Sequence, residues 1–274
     1  MRSKILVNPK WLFENYKKAN ISILDSTWFM PSSGRNGYKE FLDNRIPNSQ
    51  HFDIDKISNK SIDLPFMLPS PQQFEKQVGE LGISNNQEIC IYDTNNLAAC
   101  RVYEMFKIFG HKNVRILDGG FNNWKLNYET LIEKGTVKAP AKQQYKANYI
   151  KEKVKTLADI QNNKGEFEVV DARPPGRFCG IEKEPKEGLR SGSIPKSKNV
   201  FASQIFNEKG LFKTNEELEA LFKGVNLKEN VTCTCATGVT ACILMFALEL
   251  IGKDPKQIYL YDGAWTEYGS KVSI

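Results

Sequence analysis

Cysteine is the side chain in this chain best suited to forming and breaking a bond to sulfur, and its setting decides whether it does so. Six occur: Cys90, Cys100, Cys179, Cys233, Cys235 and Cys242. One has a setting that suits chemistry. Cys235 opens the run Cys235-Ala236-Thr237-Gly238-Val239-Thr240, after the strand-like Val231-Thr232-Cys233-Thr234 and before a helical stretch, Ala241 to Ile251. A loop at such a junction turns successive N–H groups inward near the positive end of the helix dipole. That environment favours the thiolate, which is the nucleophile. The same donors suit the outer sulfur of a persulfide anion. Gly238 lets the loop close without a Cβ clash, Thr237 and Thr240 add hydroxyls, and Ala236 and Val239 complete the wall. The chemistry this implies is sulfur transfer through one thiol.

Other uses of a cysteine fit less well. The bland reading is a core cysteine at a strand end. A tyrosine-phosphatase loop needs an arginine six residues on, and position 241 is alanine. A thioredoxin-type site needs C-x-x-C, which is absent. Cys233 and Cys235 form a C-x-C, but the only histidines are His51 and His111, and no second pair stands at zinc spacing. No metal and no cofactor is expected. Cys90 and Cys242 sit in apolar stretches as core residues would, and a chain this long does not read as a disulfide framework.

The elements that position Cys235 occur twice. In the first half, Ile89 to Asp93 reads as a strand and Ala98 to Phe109 as a helix ending at Gly110. Val114 to Leu117 is a second strand, closed by Asp118-Gly119-Gly120 and then Phe121 and Trp124. The second half repeats this with Val231 to Thr234, Ala241 to Ile251 ending at Gly252, Ile258 to Tyr261, and Asp262-Gly263-Ala264-Trp265. Asp118 to Asp262 and Asp25 to Asp171 share an offset of about 145 residues. Arg45-Ile46-Pro47-Asn48-Ser49 echoes Ser193-Ile194-Pro195-Lys196-Ser197. Strands alternating with helices imply mostly parallel sheets covered on both faces, an α/β fold. The expected division is residues 1–134, a linker over 135–155 rich in Lys, Ala and Gln, and residues 156–274. The first-half loop opens with Asp93. A carboxylate cannot become a persulfide, so the first domain is expected to be catalytically silent.

Composition bounds the rest. The 274 residues are 41% hydrophobic and 26% charged, with net charge +6, as in a globular protein that buries a core. No apolar run approaches the roughly 18 residues of a membrane span. The lysines are interleaved with acids, which reads as a solvated face, with attraction of an anionic substrate as the functional alternative. No nucleic-acid motif appears and no direct nucleic-acid contact is expected. The start, Met1-Arg2-Ser3-Lys4, shows no signal core, so the cytoplasm is the expected compartment, with the mitochondrion as a second.

These motifs together resemble the tandem-domain rhodanese superfamily, and within it the 3-mercaptopyruvate and thiosulfate sulfurtransferases. The matching pieces are the Cys235-to-Ala241 loop, Val170-Asp171-Ala172-Arg173 with Gly176-Arg177-Phe178, Gly188 to Pro195, and Tyr261 to Glu267. In the first half, Phe52-Asp53-Ile54-Asp55 and Met67-Leu68-Pro69-Ser70 also fit. The resemblance implies two tandem rhodanese-like domains. Cys235 would be the sulfur acceptor and Arg177 would grip the donor's anionic group. The second cation follows Glu184-Pro185, as Lys186 or Arg190. Small uncharged Ala236 and Thr237 resemble the mercaptopyruvate group, whose loop hydroxyl matches Thr237 and whose aspartate matches Asp55. The histidine that completes that group falls on Phe66, which relays no proton; His51 reads as a structural histidine. The implied partners are a small anionic sulfur donor and a thiol acceptor such as thioredoxin or a reductant, with cyanide or a protein as further acceptors. A persulfide carrier or docking scaffold in a protein sulfur relay, for example towards tRNA thiolation, is the alternative.

Overall fold

The same short apolar runs that mark the two halves build two sheets in this computed structural model, which describes residues 2–272. The first sheet comprises β1 (Leu6–Val7), β2 (Ile21–Asp25), β3 (Ser49–His51), β4 (Glu88–Tyr92) and β5 (Val114–Leu117), in the order β1-β5-β4-β2-β3. The second comprises β6 (Val154–Lys155), β7 (Phe167–Asp171), β8 (Lys198–Asn199), β9 (Asn230–Thr234) and β10 (Ile258–Tyr261), in the order β6-β10-β9-β7-β8. The two orders are the same, strand for strand. Every pairing is parallel, as crossover helices require.

Four helices matter to the site. These are α1 (Ala99–Ile108), α2 (Gly120–Tyr128), α3 (Ala241–Leu250) and α4 (Ala264–Lys271). All ten residues of α3 are buried, so it is a core helix and not an amphipathic surface one. Gly110 and Gly252, at φ +82° and +94°, stop α1 and α3 by supplying the left-handed residue that a helix end favours. In the first half Cys90 and Tyr92 pack with Phe121 and Trp124 of α2. In the second, Tyr261 packs with Trp265 and Tyr268 of α4.

The chain divides into two compact units. The first holds residues 2–58, Leu68–Tyr149 and Glu208–Leu211; the second holds Asn59–Met67, Ile150–Asn207 and residues 212–272. Residues 136–149, within the expected linker, carry no helix or strand. They run along the first unit, where Gln143 N–H donates to Gly79 O, Asn148 N–H donates to Phe109 O, and Tyr145 is buried.

Candidate active site

Strand β9 delivers its last residue, Thr234, beside β7, where Ala172 N–H donates to Thr234 O at 2.8 Å. The next residue is Cys235, only 1% exposed, and its Sγ accepts from Gly238 N–H at 3.1 Å. Gly238 has φ +81°, the conformation that folds the loop back over the sulfur. Cys242, the second residue of α3, donates its S–H to Gly238 O at 3.4 Å. On the opposite side, Trp265 N–H donates to Cys235 O at 2.9 Å and Thr266 N–H to Ala236 O at 3.0 Å. The loop's carbonyls are therefore held by the first turn of α4. The N–H groups of Thr240 and Ala241 make no hydrogen bond to the described residues. They are among the N–H groups that the start of a helix leaves without an intrahelical partner, and such groups suit an anion. Cys235, Ala236, Thr237, Gly238, Val239 and Thr240 thus form one loop, with Thr237 half-buried on it.

The arginine that follows Gly176 lies on the one-turn helix Pro175–Phe178. Gly176 lets the Glu182 side chain lie close: a Cβ there would come within 2.4 Å of it. Arg177 O accepts from Gly180 and Gly192 N–H. Its main chain is fixed while its half-buried guanidinium makes no ion pair or hydrogen bond among the described residues.

The two candidates for a second cation differ. Lys186 is exposed. Arg190 lies over the Trp265 ring at 4.6 Å and near Tyr268 at 5.8 Å. Its carbonyl accepts from Trp265 Nε1 at 2.9 Å, and its Nε and Nη2 are buried without a partner.

Sequence reasoning gave Arg173 no role, yet it is the anchor beneath the site. It is 2% exposed, donates to both carboxylate oxygens of Asp171 and to Glu184 Oε1 at 2.7 Å, and lies 4.4 Å over Trp265. A buried arginine needs carboxylates close by. The Asp-x-Arg spacing with Glu184 eleven residues on was the signal for it. Burial pushes the Asp171 carboxyl above its usual value despite this pairing.

In the first unit, Asp93 occupies the place of Cys235. Its Oδ1 accepts from Asn96 N–H, and its Oδ2 accepts from Ala98 and Ala99 N–H, each at 2.9 Å. Asp55 is exposed on the short helix Ile54–Ile57, and its Oδ2 accepts from Trp28 Nε1–H at 2.7 Å. His51 pairs with buried Asp25 at 3.1 Å and packs on Tyr38 and Phe41. Phe66 is half-buried in the second unit's Asn59–Met67 segment, at φ +57°, a strained conformation for an aromatic residue.

The rhodanese-like domain model matches twice, over residues 8–127 and 153–271. The chain is 38% identical to a thiosulfate sulfurtransferase of Gallus gallus, covering 97% of this chain and 93% of that one. It is 34% identical to the 3-mercaptopyruvate sulfurtransferase of Escherichia coli K12, covering 100% and 98%. The crystal structure of SseA from Escherichia coli superposes with a TM-score of 0.86 at 33% identity, covering 95% of this chain and 98% of that chain. With a matched domain in each half and relatives of this closeness along nearly its whole length, the chain belongs to the rhodanese-like family as a tandem-domain member.

Proposed function

We propose that the chain is a sulfurtransferase that carries sulfur as a persulfide on Cys235. The observation that carries this is the Cys235 loop itself: a single buried cysteine whose sulfur accepts from Gly238 N–H, in a loop whose Thr240 and Ala241 N–H groups make no bond to the described residues. In the first half-reaction the Cys235 thiolate attacks the outer sulfur of a small anionic donor. The new bond is S–S. The bond that breaks is C–S in 3-mercaptopyruvate, whose electron pair leaves as the enolate and is protonated to pyruvate. In thiosulfate it is S–S, and the pair leaves with sulfite. In the second, an acceptor thiolate or cyanide attacks the outer sulfur and returns the Cys235 thiolate. The shared covalent intermediate makes the kinetics ping-pong.

Arg177 is assigned to the donor's anionic group, because a guanidinium free of other partners can meet a carboxylate or sulfonate with two parallel bonds. Lys186, exposed and directly after Glu184-Pro185, is assigned as the second cation; Arg190 packs its guanidinium on Trp265 and Tyr268. The small side chains of Ala236 and Thr237 favour mercaptopyruvate, with the Thr237 hydroxyl as the group that handles the proton and Asp55 as the aspartate that the family resemblance implies. Relatives of similar identity carry both donor names, so the loop and not overall identity supports this choice. The acceptor is a thiol, thioredoxin or another reductant included, or a protein. The proposed setting is the cytoplasm, with the mitochondrion, the compartment in the name of an Arabidopsis thaliana relative, as the alternative. No helix among the described residues is long and apolar enough to cross a membrane.

The test is steady-state turnover with mercaptopyruvate and with thiosulfate, each with a thiol acceptor, for the wild type and Cys235→Ser. The expected outcome is activity with mercaptopyruvate that vanishes in the variant, at least a thousandfold down. Transfer retained by Cys235→Ser would sink the assignment. Activity with neither donor in the wild type would favour a persulfide carrier fed by another protein, or a docking scaffold.

A further inference from the structure

The carbonyl of Ala236 is held twice by one residue. Thr266 donates its N–H at 3.0 Å and its hydroxyl at 2.7 Å to the same oxygen. Thr266 is 2% exposed, and its place is fixed from three sides. Its own carbonyl accepts from the Ser270 hydroxyl. The residue before it, Trp265, is held through its N–H by Cys235 O and through Nε1 by Arg190 O. The residue after it, Glu267, is locked by Gly263 O, the Tyr261 hydroxyl and Lys271.

A trans peptide is planar, with C=O and N–H pointing in opposite directions. Fixing Ala236 O therefore fixes the direction of the Thr237 N–H on the far side of the same plane. It also fixes the origin of the Thr237 side chain. Trp265 does the same one peptide earlier, through Cys235 O and the Ala236 N–H. We propose that Thr266 is a positioning residue for sulfur transfer: through its hydroxyl it orients the Ala236–Thr237 peptide, and with it the start of the turn whose next residue, Gly238, donates its N–H to the Cys235 sulfur. This rests on the reading of Cys235 as the sulfur carrier.

The first unit offers a control within the same chain. There Asn122 Nδ2 donates to Thr94 O at 3.0 Å, and Phe121 N–H donates to Asp93 O at 2.9 Å. The pin is thus present beside the silent loop, but as a single bond from an exposed side chain. Beside the cysteine it is doubled and buried. Preorganised donors contribute to catalysis only insofar as they are held before the charge arrives, so the loop that must meet a developing sulfur anion is the one with the second bond.

The test compares Thr266→Val with Thr266→Ser. Valine keeps the shape and the backbone N–H bond, so Ala236 O retains one donor. Serine restores the hydroxyl. The readouts are single-turnover formation of the Cys235 persulfide, donor KM, the pH profile of Cys235 alkylation, and the thermal midpoint. Loss of one hydrogen bond to a reacting loop corresponds to about a fivefold to tenfold slower step. The expected result for valine is that loss in persulfide formation, an alkylation profile displaced to higher pH, and unchanged donor KM, all restored by serine. Wild-type rates and alkylation profile in Thr266→Val would overturn the proposal. So would a loss that follows the thermal midpoint and is not recovered by serine. A Cys235→Ser variant that still transfers sulfur would instead fail the underlying reading, so the two failures are distinct.

Discussion

The two strand-loop-helix junctions, Asp93 to Ala99 and Cys235 to Ala241, share a backbone and differ in how their donors are used. At the first, Asn96 N–H meets Asp93 Oδ1 while Ala98 and Ala99 N–H converge on Asp93 Oδ2. At the second, Gly238 N–H meets Cys235 Sγ, and the corresponding N–H groups of Thr240 and Ala241 make no bond to the described residues. A cysteine side chain is one atom shorter than a carboxylate's reach. The first loop thus holds its own carboxylate on donors whose counterparts in the second loop, at Thr240 and Ala241, make no bond to the described residues.

The largest effect that can break this comparison comes from Asp93→Ala. It leaves three N–H donors without their acceptor at a buried site, a cost of about 2–3 kcal/mol. The expected result is an earlier urea transition for the first unit, with formate, small enough to fill the vacated place, recovering part of the loss. A variant as stable as the wild type would mean that the carboxylate does not hold this loop. The pH dependence gives a second handle. Burial pushes the Asp93 carboxyl above its ordinary value of 3.8, outweighing the three donors, and burial raises Asp171 likewise. Unfolded, each releases its proton near 3.8; folded, each keeps it to higher pH. Between the two values the native state binds more protons, so stability falls as pH rises through that window. These two groups favour the fold most below it. Asp93→Ala should flatten the part of that slope owed to the first unit and leave the part owed to Asp171.

The arginines extend the contrast. Arg35, in the first unit, gives both arms of its guanidinium to Glu40 at 2.7 Å and lies 3.8 Å over the Phe29 ring. Arg177 keeps its guanidinium without a hydrogen bond or ion pair among the described residues. Arg35 is satisfied within its own unit, whereas the Arg177 guanidinium and the Thr240 and Ala241 N–H groups make no bond to the described residues. Replacing Arg177 by Lys, which keeps the charge and loses the fork, is expected to raise donor KM about tenfold, equivalent to about 1.4 kcal/mol. Arg35→Lys is expected to leave donor KM unchanged. Equal effects of the two substitutions would erase the distinction between the units.

The legible parts of the molecule were those that depend on local pattern. Short β-branched runs, glycines after helices and the offset between Asp25 and Asp171 mark both sheets and their duplication. The cysteine loop was legible because strand, small loop and helix are adjacent in sequence. Arg173 was not, because its role depends on Asp171 and Glu184 meeting a side chain that only the folded chain buries. Thr266 escaped for the same reason: its contact with Ala236 O joins residues thirty positions apart. The choice between Lys186 and Arg190 could not be read from the Glu184-Pro185 spacing, since stacking on Trp265 is a tertiary event.

The smallest expected effect concerns the turn that presents α4. Gly120 and Ala264 both have φ +53° at the start of their helices, and the residue after each donates to the loop residue 93 or 235. At Gly120 an added Cβ would come within 2.1 Å of Asp93 O, so only glycine fits. At 264 an alanine stands at the same φ, and the residue before it differs: Gly119 has φ +71° whereas Gly263 has φ −62°. The left-handed alanine still costs about 1–2 kcal/mol. Against this stand the burial of its methyl, about 0.8 kcal/mol, and the chain entropy that a glycine would add to the unfolded state, about 0.4–1 kcal/mol. These nearly cancel, so Ala264→Gly is expected to shift the second unit's unfolding free energy by less than about 0.5 kcal/mol. Urea titration measures it directly. A gain above that would mean the turn is more strained than its twin, and a loss above it would mean that the buried methyl, and not the backbone, holds α4 against the Cys235 loop.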